Sequence, residues 1–340
     1  VASVKSPGIP QCWLTFPKAV SALFGPAQAW SATSSGPRPY AAAAWLVLAF
    51  NLAVILWGAY VRATGSGAGC GAHWPLCNGV VIPRAPEVAT RIEFIHRASS
   101  GVALLLVAGM AVWATRLYPR GHRVRRAAAA SLGFIVVEAL LGAALVLFRL
   151  VGDNPSLTRG AVGALHLANT MVLLACVALT AWWASGAPPA AWPRGRPAWL
   201  WGTALAGLVL VGASGAVAAL GDTLFPGGER AAALAAGLPW GTELLLRLRI
   251  AHPFLALGVA VALGAVAVAG LRRPAGSASS PLAVAVMGLL VVQLLAGLVN
   301  VVLAAPVWLQ LVHLLLADLL WIAVVLLAAA QHPAPAAVPG

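Results

Sequence analysis

Seven histidines occur in the 340 residues, and four of them stand where solvent chemistry does not explain an imidazole. His96, His166, His252 and His313 each fall within about two turns of the start of a long apolar run. The other three, His73, His122 and His332, lie between or after such runs. An ionisable side chain at membrane depth is costly and by default marks a functional site. Imidazole is a natural axial ligand for haem iron, and two facing helices can offer one ring each. Paired in chain order, His96 with His166 and His252 with His313 give two metal or haem sites side by side. No apolar run holds two of the four. The arrangement therefore suits chemistry or electron exchange near one face, and suits electron transfer across a bilayer poorly.

Those rings need helices to carry them, and the composition says what kind. Apolar residues make up 61% of the chain and charged residues 9%, with a mean hydropathy of +0.92. Soluble domains are near half apolar and a quarter charged, so the chain reads as an all-α polytopic membrane protein. Runs of about 20 residues, long enough to span, lie at 41–62, 93–115, 127–149, 161–184, 197–220, 247–270, 281–304 and 308–330. The formal charge of +13 does not point to nucleic acid, because the arginines sit in short loops between apolar runs. Arg116, Arg120, Arg123, Arg125 and Arg126, then Arg194 and Arg196, then Arg272 and Arg273 follow the second, fourth and sixth runs, without an acid among them. The positive-inside rule makes those loops, and both termini, cytoplasmic. The four histidines then share one depth near the outer face. Residues 1–40 read as a flexible cytoplasmic extension, 185–196 as a linker between two halves, and 331–340 as a tail.

The chain also matches itself at an offset of about 155 residues. "RIEFIHR" (91–97) sits over "RLRIAHP" (247–253), and "VVEALLG" (136–142) over "VVQLLAG" (291–297). "ALHLAN" (164–169) answers "LVHLLLAD" (311–318). His96 thus matches His252, and His166 matches His313. This predicts two tandem four-helix bundles, 41–184 and 197–330, related by a pseudo-two-fold axis along the membrane normal.

The halves differ beside the histidines. Glu93 and His96, spaced i, i+3, share a helix face. A carboxyl there could accept a proton, position water or stabilise developing positive charge, or else pair with Arg91 or Arg97 at the interface. The second half has Arg249 at that place, and Pro253 answers Arg97. The first half is therefore expected to hold the reactive or exchangeable ligand and the second a permanent cofactor. Arg62, Arg97, Arg247 and Arg249 at outer helix ends are candidates for haem propionates or interfacial snorkelers. In the outer loop "GCGAHWPLCNG" (69–79), Cys70 and Cys77 have a spacing that fits a small looped disulfide. A reversible dithiol, or a metal shared with His73, stays open there. Cys176, mid-span, and Cys12, in the extension, read as inert.

"TGSGAGCGAHWPLCNG" followed by "EFIHR", with single histidines opening the even spans, resembles the haem A synthase family over roughly 41–330. That resemblance implies an enzyme of terminal-oxidase cofactor maturation in a bacterial-type plasma membrane. It implies oxidation of the C8 methyl of haem O to the formyl group of haem A by successive hydroxylations. On it, His96 and His166 flank the substrate haem, and His252 and His313 hold a haem B cofactor. Glu93 matches the family's functional glutamate, and Cys70 and Cys77 its outer-loop pair. Haem O synthase and oxidase assembly factors are the partners implied. A second cysteine pair found in some members is missing, since 221–246 contain no cysteine. Two other classes stay open: a bis-histidine membrane cytochrome or quinol-linked reductase with two fixed haems, and a haem transporter or chaperone without chemistry.

Overall fold

The computed structural model describes residues 38–187, 196–225, 237, 240–273 and 278–331. The extension before Arg38 with Cys12, the linker stretch 188–195 with Arg194, and the tail from His332 lie outside the described residues. So do 226–236, 238–239 and 274–277. Among the described residues, eight helices are long and apolar enough to cross a membrane. They are α1 (Arg38–Ala63), α2 (Val88–Leu117), α3 (Arg123–Leu147), α4 (Leu157–Ala184), α5 (Arg196–Leu224), α6 (Trp240–Leu271), α7 (Ser279–Val302) and α8 (Val307–Ala329). The protein is an all-α polytopic membrane protein, as its composition demands.

The helices do not end where the apolar runs end. Several start earlier, because a polar first turn outside lipid continues the helix as well as an apolar one does. Ser156 Oγ accepts from Arg159 N at 3.2 Å and so caps α4 four residues before its run was expected to begin. His122 Nδ1 accepts from Val124 N at 3.3 Å at the start of α3. Burial and the neighbouring Arg123 hold that imidazole below its usual pKa, which keeps it neutral and able to accept. At the other end, α3 and α7 stop two residues short of their expected limits. Arg149 (φ 54°), Ala304 (φ 56°) and Ala305 (φ 57°) turn left-handed there. Their amides, with that of Leu150, return to the last carbonyls: Leu150 N to Leu145 O at 2.8 Å and Ala305 N to Asn300 O at 2.7 Å. None of these stops uses glycine, so the sequence does not advertise them.

Helix α1 packs against α2 and α4, α2 against α3, and α3 against α4. Helix α5 packs against α6 and α8, α6 against α7, and α7 against α8. Contacts between these two groups run through α4 with α5 and α8, and through α1 with α8 and α5. Small side chains let the backbones approach: Ala44, Ala114, Ala128, Ala178, Ala181, Ala204, Ala283 and Ala323 are fully buried. Polar ties cross between the groups among the described residues. Trp321 Nε1 on α8 donates to the Met171 carbonyl of α4 at 2.6 Å. Arg62, at the end of α1, donates to Ala219 O at 2.7 Å, Thr223 Oγ1 at 2.8 Å and Gln310 Oε1 at 2.9 Å, so it joins α1 to α5 and α8.

Candidate functional site

The four histidines lie on α2, α4, α6 and α8, each within about 14 Å of the first residue of its spanning segment at 1.5 Å per residue. Each ring meets a glycine on the helix before it. A Cβ built on Gly58 of α1 would stand 2.7 Å from His96 Cε1. On Gly215 of α5 it would stand 3.2 Å from His252 Cε1, and on Gly297 of α7, 3.1 Å from His313 Cε1. On Gly142 of α3 the nearest ring atom is His166 Nε2, at 4.0 Å. These glycines are notches that let an imidazole lie against the neighbouring backbone, and three of the four leave no room for a methyl.

The polar partners of the rings follow no common pattern. Ser214 Oγ lies 2.9 Å from His252 Nδ1 and 2.9 Å from the Val211 carbonyl, to which its hydrogen goes. The hydroxyl oxygen therefore accepts from His252 Nδ1–H, leaving Nε2 free for a ligand. Nδ1 of His96, His166 and His313 is buried without a hydrogen-bond partner. Glu138 on α3 reaches the His166 ring, with Oε1 3.1 Å from Nδ1 but off the line of a hydrogen bond. Gln293 on α7 has Nε2 3.3 Å from His313 Nε2.

Haem suits this donor set. Among the described residues no three His, Cys, Asp or Glu side chains gather as a cage for a bare metal ion. Pairs of imidazoles supply two axial positions, and a porphyrin supplies the other four. Buried ring nitrogens without partners and glycine-flattened helix faces are what a flat, axially ligated group requires.

The other expected residues fall into separate groups. Cys70 and Cys77 form a disulfide, with both residues buried. Their loop is sewn to the start of α2. Cys70 N donates to Glu93 Oε2 at 2.7 Å, Thr90 Oγ1 to Gly69 O at 2.7 Å, and Arg97 Nη1 to Leu76 O at 2.6 Å and to the His73 carbonyl. Arg97 Nε also donates to Glu93 Oε1 at 3.0 Å. Glu93, 3% exposed, thus has both oxygens engaged, one by the loop and one by Arg97. Gly69 is tied into the same joint: a Cβ on it would stand 2.5 Å from the Ala89 backbone. In the second half Arg249 pairs with Asp222 of α5 at 2.8 Å, whereas Arg247 pairs with Glu243 on the exposed face of its own helix. Arg62 is the tie between helix groups described above.

Sequence reading passed over Glu138, although an acid inside the third apolar run was signal enough. It also missed the four glycines, whose role appears only once helices are set side by side. Asp318 of α8 was overlooked too. It is 2% exposed, its Oδ2 lacks a partner, and nothing around it assigns it a role.

Comparison with known proteins places the chain in a family. A Thermus thermophilus protein named "Protoheme IX farnesyltransferase" is 52% identical over 291 residues, covering 84% of this chain and 47% of that protein. "Heme A synthase" of Symbiobacterium thermophilum is 41% identical over 136 residues, 38% of this chain and 42% of that one. Its namesake in Alkalihalophilus pseudofirmus is 39% identical over 128 residues, 38% and 40% of the two chains. The chain spans about half the length of the curated relatives it matches. The COX15-CtaA family, described as cytochrome oxidase assembly protein, matches residues 41–325. That range runs from the first turn of α1 into α8 and takes in all four histidines, their glycines and the disulfide loop, so the chain belongs to this family.

Proposed function

We propose that this chain is a haem A synthase: it oxidises the C8 methyl of haem O to a formyl group at the His96/His166 site. His252 and His313 then hold haem B as a redox cofactor. The observation that carries the reading is two similar pairs of glycine-seated histidines with unlike polar surroundings. Two fixed electron carriers would not need that difference. Bound at the second pair, haem B supplies one-electron exchange with the substrate iron. Each hydroxylation removes two electrons and adds one oxygen atom, so an external oxidant and an oxygen donor must be supplied; two leave two hydroxyls on one carbon, and loss of water from these gives the aldehyde.

The protein's own part is to hold and to shield. His96 and His166 fix the substrate between α2 and α4. The Glu93–Arg97 pair and the disulfide loop lie at the start of α2 beside His96 and close that end of the site against water. Glu93 acts here through the loop it anchors. Arg97, Arg62, Arg247 and Arg249 remain proposed neighbours of the propionates, with the partners given above as the contacts to be shared or exchanged. The two halves are proposed to derive from one four-helix unit, with the histidines toward the outer face and both termini cytoplasmic.

The farnesyltransferase name of the Thermus relative fits as the preceding step. Transfer of a prenyl diphosphate needs carboxylates close together to hold Mg²⁺ and diphosphate. The eight acids of this chain are scattered singly along it, and the match takes in under half of that relative. We therefore place this chain after farnesylation, receiving the product from a haem O synthase.

Acid–acetone extraction of the purified protein, with reversed-phase separation and mass identification, tests the proposal. Haem B together with haem O, its hydroxylated forms or haem A is the expected result. Two equivalents of haem B without farnesylated haem, in cells supplied with haem O, would favour a bis-histidine cytochrome. A haem-free preparation from haem-replete cells would remove the basis of the reading.

A further inference from the structure

The sequence places Glu138 and Gln293 at matching positions of the third and seventh spans, each one turn before a histidine-facing glycine, Gly142 or Gly297. The carboxylate of Glu138 is built in. Asn169 Nδ2 donates to Oε2 at 2.5 Å, and the same amide donates to the Phe134 carbonyl at 3.0 Å, which fixes its orientation. Thr170 Oγ1, which lies 2.9 Å from the His166 carbonyl, donates to Oε1. Asn169 and Thr170 are themselves buried, at 8% and 4% exposure. His166 Nδ1 stands 3.1 Å from Oε1. Two side-chain donors thus hold an acceptor-only group, and the His166 ring lies beside it, off the line of a hydrogen bond. Holding a carboxylate at membrane depth is costly, and a chain that only needed to fill this space had Gln available, as it uses at 293.

We infer that Glu138 is a positioning residue of the first histidine pair: with Oε1 3.1 Å from His166 Nδ1, it would take that N–H on a small turn of the ring, leave Nε2 for iron, and make the imidazole the more electron-donating ligand. Gln293 meets His313 at Nε2 instead, at 3.3 Å, and His313 Nδ1 has no partner. A carboxylate behind a ligating histidine fixes its tautomer and raises its basicity. A haem iron held by His96 and His166 would then have the lower reduction potential of the two, with its oxidised state favoured. The inference rests on the proposal that the paired histidines ligate haem.

The test is a spectroelectrochemical titration of purified holoprotein, with haem counted by pyridine haemochrome. In Glu138→Gln both haems are retained, and the lower midpoint rises so that the reduced-to-oxidised ratio at fixed potential changes at least tenfold, about 59 mV for one electron. Glu138→Asp, which keeps the charge but draws the carboxylate back from His166 Nδ1 by one methylene, moves the same midpoint in the same direction by a smaller amount and leaves the second site untouched. This second variant decides the matter if Glu138→Gln fails to assemble. Unchanged midpoints in Glu138→Asp, and in Glu138→Gln where it assembles, with haem retained, would overturn the role of Glu138. If instead His166→Ala keeps two low-spin haems, the ligand assignment itself fails, and the two failures are told apart.

Discussion

The His96/His166 pair and the His252/His313 pair share one scaffold and differ in their polar surroundings. Both seat their rings against glycines of the preceding helix. Around the first pair stand Glu138 with its two donors and, at the helix start, a loop closed by Cys70–Cys77 and tied to Glu93. Around the second stand a hydroxyl, Ser214, and an amide, Gln293. The stretch 221–246 between α5 and α6 contains no cysteine, and Arg249 turns to Asp222 of the adjacent helix. On the proposed reading, the glycine notches set where a flat group binds and the polar groups beside the rings set what it does there.

The comparison breaks most readily at the notches. Gly58→Ala places a methyl 2.7 Å from His96 Cε1, so either α1 or the ring must move. Overpacking of this kind costs about 1–3 kcal/mol, which becomes a loss of about five- to 150-fold in affinity for the group the ring holds. Pyridine haemochrome analysis of Gly58→Ala should therefore find the second equivalent of haem and little of the first. Gly297→Ala, at 3.1 Å, should deplete the other site less severely. Gly142→Ala, at 4.0 Å, makes ordinary contact and should retain both. Equal retention in all three variants would mean the glycines reflect helix packing alone.

The closed loop offers a second way to sharpen the contrast. Converting Cys70 and Cys77 to serine together removes a crosslink around a short loop, worth about 2.5 kcal/mol by chain entropy. It also frees the carbonyls of His73 and Leu76 that Arg97 holds. Thermal unfolding in detergent should show a lower midpoint, and the first haem should become accessible to exogenous cyanide while the second does not. Glu93→Ala acts at the same joint from the helix side, leaving Cys70 N and Arg97 without their acceptor. It should slow conversion so that haem O or its first hydroxylated form accumulates in the extract, with haem B unchanged.

How legible this was depends on the range of the signal. The eight spans and the four histidines could be read because both are local: a run of apolar residues, and an ionisable residue inside it. Helix limits were less legible because Arg149, Ala304 and Ala305 end helices without glycine, and because the early turns of α2 and α4 are polar yet helical. The pairing of Cys70 with Cys77 could be expected from spacing. The attachment of that loop to Glu93 could not, since it depends on the Cys70 amide pointing at α2. Glu138 was visible as a letter, but its importance lies in Asn169, Thr170 and His166 meeting it from α4. Gly142 and its counterparts are invisible until two helices are placed in contact, because a glycine in an apolar run otherwise signals only close packing.

The smallest expected effect separates two arginines that sequence treats alike. Arg247 and Arg249 both stand in the N-terminal part of α6, and each pairs with an acid. Arg247 is 70% exposed on its side chain, and Glu243, its i−4 neighbour, is 35% exposed. Such a pair is screened by solvent and contributes at most about 0.5 kcal/mol. Arg249 is 24% exposed and Asp222 12%, and the contact joins α6 to α5 rather than one turn to the next. Losing Arg249 removes one charged hydrogen bond to Asp222 across the helix boundary, a loss of about 1 kcal/mol. Arg249→Ala should therefore lower the unfolding midpoint and loosen the haem of the second pair, while Arg247→Ala matches the parent in both measurements. If Arg247→Ala instead depletes haem without changing the midpoint, its guanidinium reaches a propionate once haem is bound. The second site would then be gripped from its exposed rim as well as from its buried wall.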